Sequence, residues 1–177
     1  MDGNNQFKIM DITGMNHQIS QLVSMMNYAR FTTINAVQGL TIDELDYLED
    51  PNSNTIGALL LHIAAVEIGF QIEIFDNRTP NEEELKEWLA AYELGEKGRN
   101  EIRGNSLDYY VNKLEQVRLR TLKEFRQKDD NWLYEERKWS GLPSNNYFIW
   151  FHVFEDEINH RGQIRWLRQR LPRPIVK

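Results

Sequence analysis

From Ile56 to Val66 the chain is almost unbroken in apolar residues, interrupted by Gly57 and His62 alone. A stretch this apolar must be buried nearly all round. Its continuation to about Phe75 is too long for a core strand, so it predicts a helix over residues 55–75. A buried helix needs other elements to cover it, and three further segments carry the right periodicity. Between about Gly14 and Gln38, Ile19, Leu22, Val23, Met26, Ala29 and Ile34 recur at spacings of three or four. Ser106 can cap a helix to about Arg126 whose stripe is Leu107, Tyr110, Val111, Leu114, Val117, Leu122 and Phe125. A last helix runs from about Ser144 to Arg170 and stops before Pro172.

The connections are equally legible. Gly39 ends the first helix, and Thr41-Ile-Asp-Glu44 has the capping-box pattern of a short helical turn, closed by the loop Asp50 to Asn54. Thr79-Pro-Asn-Glu82 combines a capping box with proline at the first helical position. It opens a polar segment to about Tyr92, read as an extra short surface helix between the second and third long helices. Residues 100–105 form a polar connection, and 132–143 are read as irregular. The sum is an all-α four-helix bundle, one domain over residues 1–177.

Composition removes whole classes of chemistry. There is no cysteine, hence no thiolate metal site, disulfide or cysteine nucleophile, and sulfur chemistry needs sulfur delivered on a substrate. Against 27 acidic residues stand 21 basic ones, a net charge of −6 that argues against nucleic-acid binding. Residues 1–6 lack the pattern of a secretory signal, and no uninterrupted apolar run approaches membrane-spanning length, so a cytoplasmic location without membrane attachment is expected. Arg165, Arg168, Arg170, Arg173 and Lys177 make the end of the last helix basic; they complement the helix dipole and could meet an acidic partner.

Two of the four histidines lie in the last helix, where His152, Asp156 and His160 are spaced by four. Neighbours at that spacing share a face and can grip one ion, whereas the two histidines are about 12 Å apart along the axis. Asp156 belongs to either pair. His62 sits on the face of residues 58, 62, 65 and 69, whose other members are Ala, Ala and Gly and leave room for a pocket. His62, Asp156 and His160 together would offer two imidazoles and a carboxylate, a set suited to zinc, nickel or ferrous iron. Glu67 and Glu157 are available around such a site as supporting or proton-transfer groups. His17 is read as a hydrogen-bonded core residue, the aromatic residues from Phe148 to Phe154 as core packing, and the charged segments 82–87 and 115–128 as exposed helix faces. Glu157-Ile-Asn-His160 is one Glu-x-x-His motif where ferritin-like di-iron chemistry needs two.

The runs Asn54-Thr-Ile-Gly57-Ala-Leu-Leu-Leu-His62-Ile-Ala-Ala-Val-Glu67 and His152 through His160-Arg161-Gly162-Gln163-Ile164, ending in Leu-Arg-Gln-Arg-Leu-Pro172, resemble motifs of the DinB-like/YfiT-like superfamily. That superfamily includes bacillithiol transferases and mycothiol-dependent maleylpyruvate isomerases. The resemblance implies a four-helix bundle holding one divalent ion on three histidines, one from the second helix and two from the fourth. Residue by residue, the ligands fall on His62, Asp156 and His160, with aspartate where the pattern usually has histidine. His152 is the alternative partner on that helix. Arg161, Gly162 and Gln163 match the same run; Gly162 is expected to permit close helix contact and its neighbours to support the ligands. The implied activity is metal-dependent transfer of a small-molecule thiol to an electrophile, by a homodimer. The other reading is a non-catalytic, stress-associated bundle with a vestigial metal site.

Overall fold

The computed structural model describes residues 6–172, so Arg173 and Lys177 lie outside the described residues. All four long helices are present: α1 (His17–Val37), α3 (Ile56–Phe70), α6 (Leu107–Phe125) and α7 (Asn146–Arg168), with a short α2 (Ile42–Leu45) after α1. The molecule is mostly helical. Local caps set most of the starts. Thr55, Ser106 and Asn145 accept hydrogen bonds from the amides of Ala58, Tyr109 and Phe148, and Thr41 and Glu44 complete both halves of their capping box.

Three expectations need correction. The polar segment after α3 starts two residues later than Thr79 implies. Asn81 is the cap, and it forms the reciprocal box with Glu84, whose carboxylate Arg78 also holds. The segment is also two helices, α4 (Glu82–Glu93) and α5 (Gly95–Glu101), broken at Leu94 and Gly95, both at positive φ. The stretch read as irregular holds a 3₁₀ turn (Asp130–Tyr134) and a hairpin of β1 (Glu136–Trp139) and β2 (Leu142–Asn145). Ser140 and Gly141, at φ 49° and 80°, join the strands with two left-handed residues, as a tight hairpin requires. These four-residue strands bury none of their positions fully, so they carry no apolar alternation for a sequence to show.

α3 continues into a π-helical turn, Gln71–Phe75. By length and composition Ile56–Phe75 could cross a membrane, but 72% of its most apolar window is buried within the bundle. It is the central core helix. α1 packs chiefly on α7, α3 packs on both α6 and α7, and the α1–α6 seam is the loosest of the four. Two apolar clusters fill the interior. One surrounds the first half of α3, with Tyr110, Leu114 and Ile164. The other surrounds the first halves of α1 and α7, with Phe125, Trp132 and Trp150. In the first, an added Cβ on Gly57 would lie 2.5 Å from the Tyr110 hydroxyl oxygen, so only glycine lets that ring pack there.

Candidate metal centre

The antiparallel packing of α3 on α7 brings His62 opposite Asp156 and His160, which stand one turn apart on α7. One donor atom from each lies within 4.8 Å of the others, so the set could hold a metal ion. The Asp156 carboxylate bridges the rings: Oδ2 is 3.8 Å from His62 Nε2, and Oδ1 is 3.4 Å from His160 Nε2. Neighbouring ligands of a tetrahedral ion at bond lengths of about 2.0–2.1 Å stand roughly 3.3 Å apart, so both carboxylate–imidazole spacings are close to those of coordination. Asp156 Oδ2 and His160 Nδ1 are also buried without a hydrogen-bond partner among the described residues. Unmet polar atoms of this kind are costly in a protein interior, and a cation at the centre of the set would satisfy the carboxylate.

The side-chain environment prepares the donors. His62 Nδ1–H donates to the Ala91 carbonyl at 2.8 Å, which leaves the Nε2 lone pair facing Asp156. Burial pushes the His62 pKa below its ordinary value and keeps the ring neutral, as a ligand must be. For Asp156, burial acts upward, but the hydrogen bond from His160 and the nearby histidines outweigh it and hold the carboxyl below its ordinary value. The carboxylate is therefore charged at neutral pH.

The small residues around His62 do not leave an open pocket; they seat α4. Ala58 and Ala65 are buried in the core, and Gly69 gives Tyr92 its place, with the ring 3.3 Å from where a Cβ would stand. The helix expected on the surface thus buries Trp88, Ala90 and Ala91 and supplies the carbonyl that orients His62.

The other expected participants go elsewhere. His152 pairs with Glu155 at 3.2 Å and sits among Trp139, Phe70 and Phe148, one turn before Asp156 and outside the cluster. His17 is exposed and hydrogen-bonded to Asp11, a surface residue rather than a core one. Gly162 makes no close helix contact, since a Cβ there would meet open space. Arg161 donates to Thr32 Oγ1 and ties α7 to α1 rather than supporting a ligand. Phe148 and Phe151 are exposed, unlike the buried Trp150 and Phe154 between and after them. The basic end of α7 is partly occupied: Arg168 donates to the carbonyls of Ala36 and Gln38, and Arg170 lies on the Trp166 ring.

Glu67 and Glu157 do not surround the cluster. Both are fully buried and face two arginines that sequence reasoning left unremarked, Arg30 of α1 and Arg118 of α6. Arg30 Nε donates to Glu157 and its Nη2 to Glu67; Arg118 Nε donates to Glu67 at 2.8 Å. Thr121 adds a further hydroxyl to Glu67. Burial acts to raise the Glu67 pKa, yet Arg118 and Arg30 bring it below the usual carboxylate value. Each long helix gives one charge to this layer, which lies between the two apolar clusters. Arg118 falls in a segment read as an exposed face, yet it is 5% exposed. The available signal was the pair of carboxylates inside apolar helices, since buried acids demand buried cations. Glu157 is thereby unavailable for the di-iron reading of Glu157-Ile-Asn-His160.

A family model described as Mycothiol-S-transferase matches residues 21–172, from within α1 to just beyond α7. It is a family of the DinB-like/YfiT-like kind. No curated protein matches the chain. Among solved structures, the crystal structure of the conserved protein of a locus from Enterococcus faecalis superposes with a TM-score of 0.62. It covers 84% of this chain and 93% of that one at 14% identity, a likeness that shows the fold alone.

Proposed function

The chain belongs to the Mycothiol-S-transferase family, and from that premise we propose that it is a divalent-metal-dependent enzyme that transfers a low-molecular-weight thiol to a small electrophile. The observation that carries this reading is the convergence of His62, Asp156 and His160 from two helices, with the buried Asp156 Oδ2 lacking a hydrogen-bond partner among the described residues. We assign these three as the metal ligands. A bound divalent ion supplies acidity, lowering the pKa of a coordinated thiol so that it is a nucleophile at neutral pH.

The chain's own contribution is preparation. Ala91 fixes the His62 ring, burial keeps it neutral, and α7 presents Asp156 and His160 on one face. The carboxylate in the set lowers its net positive charge and turns its preference toward harder ions than an all-histidine site would choose. In the overall reaction the thiol sulfur forms a bond to the electrophilic carbon, the leaving group departs with its bonding electrons, and the thiol proton passes to solvent. With no cysteine in the chain, that sulfur must come from a cosubstrate.

The direct test supplies zinc, nickel, manganese or ferrous iron to the purified chain and follows loss of 1-chloro-2,4-dinitrobenzene with a panel of small thiols, mycothiol and bacillithiol included. Metal-dependent turnover that His160→Ala reduces by at least 100-fold is the expected result. Firm metal binding without turnover of any thiol would instead favour the non-catalytic bundle.

A further inference from the structure

The α1–α6 seam holds a cavity. Its volume is about 640 Å³, within the range that holds a drug-sized molecule. It opens where α1 and α6 fail to close on each other, and the segment leading into α1 forms a further wall. That segment is pinned in place: Met10 N–H donates to Ser24 Oγ, Ile12 N–H donates to Ser20 Oγ, and Ser24 Oγ returns a bond to the Met10 carbonyl. The cavity shares no residue with the set His62, Asp156 and His160. On α7, Asp156 and Glu157 point about 100° apart, so the metal set and the charged layer use different faces of that helix.

The lining specifies the occupant. Phe31, Ile34, Val111, Leu119 and Leu122 make the wall predominantly apolar. Arg30 and Arg118 also line it with their two charges matched by the buried carboxylates of Glu67 and Glu157, and the exposed Lys8, Asp11 and Glu115 add one positive and two negative charges, so the cavity carries no net attraction for an anion. Each guanidinium commits four of its five N–H groups: to both carboxylates, and to the carbonyl of Leu114 or Met26. One buried acceptor of the lining, Asn27 Oδ1, is unmet among the described residues. An unmet acceptor in such a place is costly, and a ligand that donates to it recovers that cost.

We propose that the α1–α6 seam is a second binding site, for an uncharged, largely apolar small molecule that donates one hydrogen bond to Asn27. The class includes neutral aromatic amines, phenols and secondary amides.

The test uses N-phenyl-1-naphthylamine, a neutral apolar fluorophore with one N–H, together with its N-methyl derivative, which has none. Titration of the full chain should show saturable binding at one site per chain, with the parent probe bound about tenfold more tightly. Asn27→Leu should remove that tenfold preference, and His160→Ala should leave both affinities unchanged. Val111→Trp or Leu122→Trp, whose folding is checked by circular dichroism, should fill the seam and abolish saturation of both probes. Probe binding that is unsaturable, or equally tight in a folded seam-filling variant, would overturn the proposal. Sedimentation showing a dimer that Val111→Trp dissociates would overturn it too, by assigning the seam to a second copy of the chain.

Discussion

His62 depends on burial and one carbonyl for its readiness to bind. Because burial lowers its pKa, the folded chain resists protonating it, while the unfolded chain takes up that proton near the ordinary value of about 6.5. Below that value the unfolded state holds more protons, so stability falls as the pH drops toward the folded pKa. Asp156, whose folded pKa is also lowered, acts in the same direction at more acid pH: its stabilisation is present above the ordinary carboxyl value and is lost as the pH falls through the folded one. Thermal unfolding of the metal-free chain should therefore show a declining midpoint from pH 7 to 5, and His62→Gln should flatten that decline. An unchanged slope in the variant would show that the ring is not held neutral. The buried arginines carry a larger effect. Arg118→Met leaves Glu67 fully buried with half its cationic partners gone, and denaturant unfolding should show a loss of about 3–5 kcal/mol. The double change Arg118→Met, Glu67→Gln should recover part of it. A single-variant loss below about 1 kcal/mol would mean the layer tolerates an unpaired charge.

At the scale of elements, caps and periodicity made most of the fold readable, and the failures share a cause. The stripes of α1, α3, α6 and α7 are local patterns of three and four, so each helix was visible without its neighbours. Asp156 and His160 were legible for the same reason, one helix turn fixing their common face, and the family resemblance tied them to His62. Arg30 and Arg118 were not, because their partners lie on other helices, Glu67 more than 30 residues away from either. His152 had the same local spacing to Asp156 as His160; the aromatic group of Trp139 and Phe148, built by an unrecognised hairpin, decides where it goes. The start of α4 is a case of two competing signals. Thr79 and Asn81 each precede a glutamate by three, and the structure selects Asn81 because its amide also takes the Glu84 carboxylate. Asn81→Ala should cost about 1 kcal/mol in thermal or denaturant unfolding, while Thr79→Ala should be nearly neutral. The reverse order would place the start of α4 two residues earlier. Since α4 carries Ala91, loosening it should also weaken metal affinity through the His62 ring.

Across the whole molecule, two apolar clusters meet at a layer of four charges, two arginines paired with two glutamates, one from each long helix. Such a layer penalises any slip of one helix against another, because a shifted register would bury unpaired charge. The bundle thereby holds α3 and α7 at the height where His62 faces Asp156 and His160, and α4 closes over the outer side. Its four seams are unequal. The tight α3–α7 seam carries the candidate metal centre, and the loose α1–α6 seam carries the cavity. We assign one metal site to those three side chains. That assignment is tested most directly by metal analysis of the purified, untagged chain after zinc, nickel, manganese or ferrous iron is supplied and excess removed by dialysis. One ion per chain is expected in the wild type and in His152→Ala, with less than about a tenth of that in His62→Ala, Asp156→Ala and His160→Ala. A wild type that retains no ion, or retention that survives Asp156→Ala but fails in His152→Ala, would contradict it.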